Sequence, residues 1–198
     1  MVPMKIFGKF DTSEVRVEDP GLKRVINLNS KLTLKSHGRI KWDPTKSRVN
    51  IIERLANLLQ IPGSRGKKHK IITGWMTGKQ TRAMKIITDA FEIIEEQTKE
   101  NPVQVFVKAI ENGSPRDEVI SLEYGGARYP QAVDVSPRRR INMVLRFFVH
   151  GSYDKAFNKK ATIVQALAKE LILASQNSNE SYAVNKKNEI EKQADAAR

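Results

Sequence analysis

The stretch VISLEYGGARYPQAVDVSPRRRI, residues 119–141, decides the fold because it joins a β-ribbon to the start of a helix. Its first six residues favour a strand, Gly125-Gly126 is a hairpin turn signal, and an extended segment returns after the turn. Ser136 then suits a helix N-cap and Pro137 suits the first helical position, where its missing N–H costs no hydrogen bond. The sequence therefore predicts a ribbon over about 116–135 and a helix that begins at Pro137.

Three arginines occupy the first turn of this predicted helix, Arg138, Arg139 and Arg140. The N-terminus of a helix already carries partial positive charge, so basic residues are locally unfavourable there. Backbone N–H groups and guanidinium forks together suit a phosphate group. We interpret the cluster as an anion-binding site, and an ordinary basic surface cluster is the alternative.

Apolar residues at helical spacing predict helices on both sides of the ribbon. Together they give a mainly α fold, a bundle of about six helices with one protruding β-hairpin and an extended N-terminal arm. The arm covers residues 1–42 and is expected to lie on a partner, and the helical domain covers 43–198. The predicted helices start at Asp43-Pro44, Lys79, Asn101-Pro102, Pro137, about Asn158 and Tyr182, and they end at Pro62, before Asn101, at Gly113, Gly151, Ala174 and Arg198.

Charge is the dominant feature of the composition: the 198 residues carry a net charge of +13, with a pI near 10.0. Residues 64–85 hold seven basic residues and no acidic one, residues 86–123 hold nine acidic and three basic, and residues 136–160 hold seven basic and one acidic. Alternating blocks favour a folded body with one cationic side and a polyanionic partner. The cations concentrate in loops and at helix starts, which favours nucleic acid over a membrane surface.

The sequence also argues against several function classes. It has no cysteine, which excludes disulfides, thiolate zinc sites and cysteine nucleophiles. The three histidines share no metal-ligand spacing. Gly74 and Gly78 are separated by three residues and Gln80 follows, which does not match a nucleotide-binding P-loop. No apolar run reaches the ~18 residues of a membrane span, and residues 1–10 lack a signal-peptide core. We therefore expect a cytoplasmic protein with no catalytic, metal or cofactor site.

Several motifs in order along the chain resemble the S-seven family of small-subunit ribosomal proteins. The ribbon-to-helix segment Gln131–Arg139 is similar to the most recognisable stretch of that family, and Gly78-Lys79-Gln80 resembles its Gly-Lys-Lys helix start, with Gln80 in place of a lysine. The segment from Ser181 to Glu189 resembles the archaeal and eukaryotic branch. Further matching segments are Asn101–Phe106, Ala109–Asn112, Pro115-Arg116, Asp19-Pro20 and Ile26–Leu28.

This resemblance implies a structural, non-catalytic protein that binds small-subunit rRNA directly in its 3′ major domain. It also implies that the protein nucleates assembly of the subunit head and neighbours other small-subunit proteins. The β-ribbon is expected near the exit-site tRNA and the mRNA path. The alternative is a general nucleic-acid-binding protein without preference for rRNA.

The residues expected to carry this function are basic side chains at loops and helix starts, because such groups position RNA through its phosphates. One aromatic residue, Tyr129 beside Arg128, is expected to stack on an unpaired base. The predicted RNA-binding set is Lys67, Lys68, Lys70, Lys79, Arg82, Lys85, Arg116, Arg128, Tyr129, Arg138, Arg139, Arg140 and Arg146, with Lys31, Lys35, Arg39 and Lys41 as further candidates in the arm.

Overall fold

A computed structural model describes residues 5–6, 8–30, 48–61 and 78–198 of the chain. Within these residues the fold has seven helices and a two-stranded antiparallel ribbon, which confirms the mainly α class. The elements are α1 (Pro20–Lys23), α2 (Ile51–Leu59), α3 (Gln80–Thr98), α4 (Pro102–Gly113), β1 (Asp117–Tyr124), β2 (Ala127–Asp134), α5 (Pro137–Ala156), α6 (Ile163–Ser175) and α7 (Tyr182–Ala196).

Helix α6 lies at the centre of the bundle and packs against α3, α4, α5 and α7, while α2 packs against α3 and α5. Four phenylalanines run through the core from the arm to α5. Successive ring centroids lie 5.7, 5.8 and 6.4 Å apart in the order Phe10, Phe91, Phe106 and Phe148. Aromatic rings at these separations contribute more than their buried area alone. The arm is therefore part of the hydrophobic core.

Side-chain caps fix several of the helix starts. The Asn101 side chain accepts a hydrogen bond from the Val103 amide at 3.0 Å, and Pro102 follows it as the sequence predicts. Thr162 forms a capping box with Gln165 at the start of α6. Helix α6 thus begins five residues later than the expected start at Asn158, which instead has a positive φ of 54°. The expected start of α2 at Asp43 lies outside the described residues. Within them, α2 begins at Ile51.

Helix α5 continues through Gly151 to Ala156, so the expected end at Gly151 is wrong. The glycine serves a close approach between helices instead. A Cβ atom at this position would lie 2.7 Å from the Cβ of Tyr182 and 3.2 Å from the Cδ of Glu170. Gly151 is therefore explained by tertiary packing, although the neighbouring sequence alone predicts a helix end there.

The ribbon follows the predicted hairpin. Asp117 pairs with Asp134 at its base and Tyr124 pairs with Ala127 at its tip. Gly125 and Gly126 have φ values of 59° and 82°, which a two-residue hairpin turn requires. Helix α7 packs against β1, whereas residues 120–131 of the ribbon are exposed. The outer part of the ribbon therefore extends away from the bundle.

The described part of the arm lies on the chain's own α4. The Gln104 side chain accepts a hydrogen bond from the Arg16 amide at 2.8 Å and donates one to the Arg16 carbonyl at 3.1 Å, as a neighbouring strand would. The Asn101 side chain donates to the Asp11 carbonyl at 2.8 Å. This segment of the arm therefore lies on the body of its own chain, and contact of the arm with a partner stays a prediction.

Candidate nucleic-acid interface

The three arginines at the start of α5 have three different environments. Arg138 is exposed, and no ion pair joins it to the part of the chain that the structure describes. Arg139 forms a two-pronged pair with Glu118 at the base of β1, with N–O distances of 2.6 and 2.7 Å. Arg140 is only 9% exposed. Neighbouring residues of one type thus differ because successive helix positions face different directions.

Arg140 points into the molecule and joins the arm to the body. Its guanidinium donates to the Asp19 carboxylate at 2.8 Å and to the Ser114 hydroxyl at 3.0 Å. Partial burial alone would raise the pKa of Asp19, but the hydrogen bonds from Arg140 and the Gly21 amide outweigh it and hold that pKa below its ordinary value. Asp19 therefore stays ionised opposite Arg140, and this guanidinium is largely withheld from the surface.

A groove of about 820 Å³ lies between α1 and the start of α5. Its cationic walls are Arg24 from the end of α1 and Arg138, Arg139 and Arg146 from α5. The Ser136 side chain makes no capping hydrogen bond, so the helix start facing this groove keeps its N–H polarity. We call this the α1–α5 groove. Its shape and charge suit an anion with several phosphates.

A second groove, of about 810 Å³, shares Arg24 with the first. Its other cations are Arg16, Lys23 and Arg48, and all three are exposed. None of these four residues belongs to the predicted set. Arg24 and Arg138 are far apart in sequence, and only the docking of α1 on α5 brings them to one groove.

A separate cationic cluster lies near the other end of α5, formed by Arg82 and Lys85 on α3. These residues border a cleft of about 630 Å³ whose walls include Tyr153 and the 49% exposed Phe157. Exposed Lys159 and Lys160 follow Phe157 directly. The α1–α5 groove follows the first half of the 20-residue α5 and this cleft borders its last turn, so the two cationic regions are separate along one rigid helix. Predicted Lys79, also exposed, immediately precedes α3.

The hairpin carries a third group of predicted residues. Arg116 is exposed at its base, where the Arg116 carbonyl accepts a 2.7 Å hydrogen bond from the Val135 amide. Near the tip, Arg128 lies 3.8 Å from Glu123, and Tyr129 is 58% exposed. Tyr129 pairs in register with Leu122, so both project from the same face of the ribbon. The structure thus brings predicted Arg138, Arg139 and Arg146 together in the α1–α5 groove, while the hairpin residues lie apart from it.

Seven of the predicted basic residues lie outside the described part of the chain. They are Lys67, Lys68 and Lys70 in the basic loop, and Lys31, Lys35, Arg39 and Lys41 in the arm.

The described residues offer neither a metal site nor a membrane span. Among them there is no group of three or more His, Asp or Glu side chains arranged to hold a metal ion. No helix within them is both long enough and apolar enough to cross a membrane.

Comparison with known proteins gives a consistent answer. Residues 30–198 match the family model described as ribosomal protein S7p/S5e. The small ribosomal subunit protein uS7 of Nanoarchaeum equitans is 51% identical over 196 residues, covering 98% of this chain and 99% of the relative. The uS7 proteins of Picrophilus torridus and Archaeoglobus fulgidus are 47% and 44% identical over 194 residues, covering 98% of this chain and 98% and 94% of theirs.

A match over most of the chain, together with relatives of nearly equal length and a helical bundle with a ribbon ahead of α5, identifies the family. The chain belongs to the ribosomal protein S7p/S5e family, in its archaeal branch, a family of structural proteins and not of enzymes.

Proposed function

We propose that this chain is a structural component of the small ribosomal subunit and binds small-subunit rRNA directly. The observation that carries the proposal is the α1–α5 groove, in which Arg24, Arg138 and Arg146 border a helix start. No ion pair within the described residues neutralises these three cations. The family and the names of the relatives support the ribosomal context.

The mechanism is electrostatic positioning without a chemical reaction. Folded rRNA packs phosphates closely, and their repulsion has to be neutralised at defined points. Cations held on a rigid helix fix where the phosphates lie, while the shape of the RNA supplies selectivity. Arg24, Arg138 and Arg146 lie on such helices and helix ends.

The separation of the two cationic regions supports contact with more than one rRNA helix. One region lies along the first half of α5 and the other beside its last turn. The bundle, with α5 and α3 packed together through α6, can therefore hold two RNA segments at a fixed spacing. This arrangement suits a multi-helix junction of the 3′ major domain and a role in nucleating assembly of the subunit head, in cytoplasmic ribosomes.

The hairpin is the part we assign to the exit-site tRNA, the mRNA path and neighbouring proteins. Its outer half is exposed and carries apolar side chains on one face, and Tyr129 is available for stacking on a base. A two-stranded ribbon gains little stability by itself, so an exposed one of this length favours a role in contacts beyond the bundle.

Binding of the full chain to an isolated 3′ major-domain fragment tests the proposal. The competitors are an unrelated rRNA fragment and a duplex DNA of equal length, each at several salt concentrations. We expect the fragment to bind more tightly than either competitor at every salt concentration. Equal affinity for all three would support a general nucleic-acid-binding protein and contradict the proposal.

A reconstitution experiment tests the finer assignments. We expect heads to assemble poorly when this chain is left out of a small-subunit reconstitution. A chain with a ribbon shortened at its tip should restore assembly but retain exit-site tRNA less well. Normal head assembly without the chain would contradict the assembly role, and normal tRNA retention would contradict the role of the hairpin.

A further inference from the structure

Asp19 lies where the arm meets the body and binds both sides. One carboxylate oxygen accepts a hydrogen bond from the Gly21 amide at 2.8 Å and so caps α1. The other accepts the 2.8 Å hydrogen bond from Arg140 on α5. A single acidic side chain therefore caps α1 and links its start to α5.

Arg140 extends this attachment to α4. Its guanidinium also donates to the hydroxyl of Ser114, the residue that ends α4, and that hydroxyl in turn donates to the Glu111 carbonyl at 3.1 Å. The Glu111 carboxylate accepts the backbone amides of Glu18 and Asp19 at 2.7 and 3.0 Å. The chain entering α1 is thus bound by the same corner of the body that holds Arg140.

The position of α1 decides where Arg24 lies. Arg24 is the C-cap of α1 and forms one wall of the α1–α5 groove, facing Arg138 and Arg146. A four-residue helix has too few hydrogen bonds to hold its place alone. Buried Leu22, Val25 and Ile26 anchor this segment in the core, and Asp19 attaches its N-terminal end to α5 through Arg140.

We infer that Asp19 and Arg140 are positioning residues for RNA binding: their ion pair assembles the α1–α5 groove by holding Arg24 against α5. This inference rests on the proposed function, in which that groove binds rRNA. It has an unusual consequence, because an acidic residue on a strongly cationic protein becomes necessary for binding a polyanion. Removal of negative charge ordinarily strengthens such binding.

The decisive variant is Asp19→Asn, measured in the full chain against the 3′ major-domain fragment. Loss of the ion pair loosens the attachment of α1 to α5 and so shifts Arg24 in the groove, and we expect affinity to fall up to about tenfold. The loss of about one phosphate contact should also make the slope of log affinity against log salt concentration less steep by about 0.7–0.9. Glu14→Gln is the matched control, because it removes one negative charge from an exposed position of the same arm. Its affinity should equal or exceed that of the wild type.

Combination with Arg24→Gln shows whether Asp19 acts through Arg24. We expect Asp19→Asn to add little loss in the Arg24→Gln background, because the positioned cation is already absent. An equal loss in both backgrounds would overturn the inference, since Asp19 would then act elsewhere. An Asp19→Asn affinity equal to that of Glu14→Gln would overturn it as well.

Arg140→Lys provides a second, milder variant that leaves the net charge unchanged. Both hydrogen bonds leave the terminal Nη2 atom of Arg140, and a lysine side chain is one bond shorter. We therefore expect a several-fold loss of affinity that again vanishes in the Arg24→Gln background. Wild-type affinity would overturn the inference even if Asp19→Asn failed to fold.

Failure of this inference is distinguishable from failure of the proposed function. If Arg24→Gln and Arg138→Gln each leave rRNA affinity unchanged, the groove does not bind RNA and the proposed function is wrong at this site. If they weaken binding while Asp19→Asn behaves as Glu14→Gln does, only the positioning role is wrong. Hydrogen exchange of the Leu22 amide, measured without RNA, should be faster in Asp19→Asn than in Glu14→Gln, and equal rates would overturn the positioning role.

Discussion

The carboxylate of Glu170 accepts a 2.7 Å hydrogen bond from the Ser181 hydroxyl although Glu170 has no solvent exposure. The same oxygen accepts the Ala183 amide at 3.1 Å, and the other oxygen pairs with Lys155 at 2.5 Å. A buried carboxylate on α6 thereby binds the first turn of α7 and the last turn of α5. It belongs to the structure and not to the RNA-binding surface.

Glu170→Gln should lower the free energy of unfolding by about 3 kcal/mol, because it leaves Lys155 without its charge partner and turns an acceptor into a donor. Urea unfolding measures this change. Glu95→Gln, an exposed change on α3, should have almost no effect. Similar values for the two variants would contradict the role of Glu170.

Gly151→Ala should destabilise the protein although alanine is the better helix former. The added Cβ would lie 2.7 Å from that of Tyr182, and overpacking of this kind costs about 1–3 kcal/mol. The gain in helix propensity, about 1 kcal/mol, offsets only part of this cost. Thermal unfolding tests the prediction, with Gln97→Ala as an exposed helical control. A higher melting temperature for Gly151→Ala would contradict the close approach.

Tyr153 should make stability fall at alkaline pH. Its hydroxyl donates to the Leu59 carbonyl at 3.0 Å, and burial raises its pKa from 10.0 to about 12. Between pH 10 and 12 the unfolded chain loses this proton while the folded chain keeps it, so stability falls across this window. As pH rises from 10 to 12, the advantage of the wild type over Tyr153→Phe in unfolding free energy should therefore shrink.

Below pH 10, Tyr153→Phe should cost about 1 kcal/mol, the net worth of one buried hydrogen bond. Tyr124→Phe at the exposed hairpin tip is the control and should change neither stability nor its pH dependence. A constant difference between wild type and Tyr153→Phe across pH 9 to 12 would show that burial does not perturb this hydroxyl.

The helices and the hairpin were predictable because their signals are local. Asn101-Pro102 and Gly125-Gly126 act through caps and turns that involve only their neighbours in the chain. Gly151 misled the prediction because its role depends on Tyr182, 31 residues away in sequence. Local signals cannot show which faces of two distant helices approach closely.

The cationic site was predictable only in part. The start of α5 was identified from its arginines, but Arg24 and Arg48 were missed because the grooves exist only after the arm docks. A signal for Arg140 was present in the sequence. It precedes Val144 by four residues and Phe148 by eight, which places it on the buried stripe of α5.

The measurement that tests the central claim most directly compares two triple variants of equal charge for binding to the 3′ major-domain fragment. One removes the groove cations, with Arg24, Arg138 and Arg146 each changed to Gln. The other removes three exposed cations from α4, α6 and α7, with Lys108, Lys169 and Lys192 each changed to Gln.

We predict that the groove variant binds at least about a hundredfold more weakly than the wild type, and that its circular dichroism spectrum shows a folded protein. The slope of its log affinity against log salt concentration should be less steep by about 2–3. The control variant should stay within a few-fold of the wild type. Equal losses for the two variants would show that net charge alone governs binding, and this would contradict a shaped cationic groove as the rRNA site.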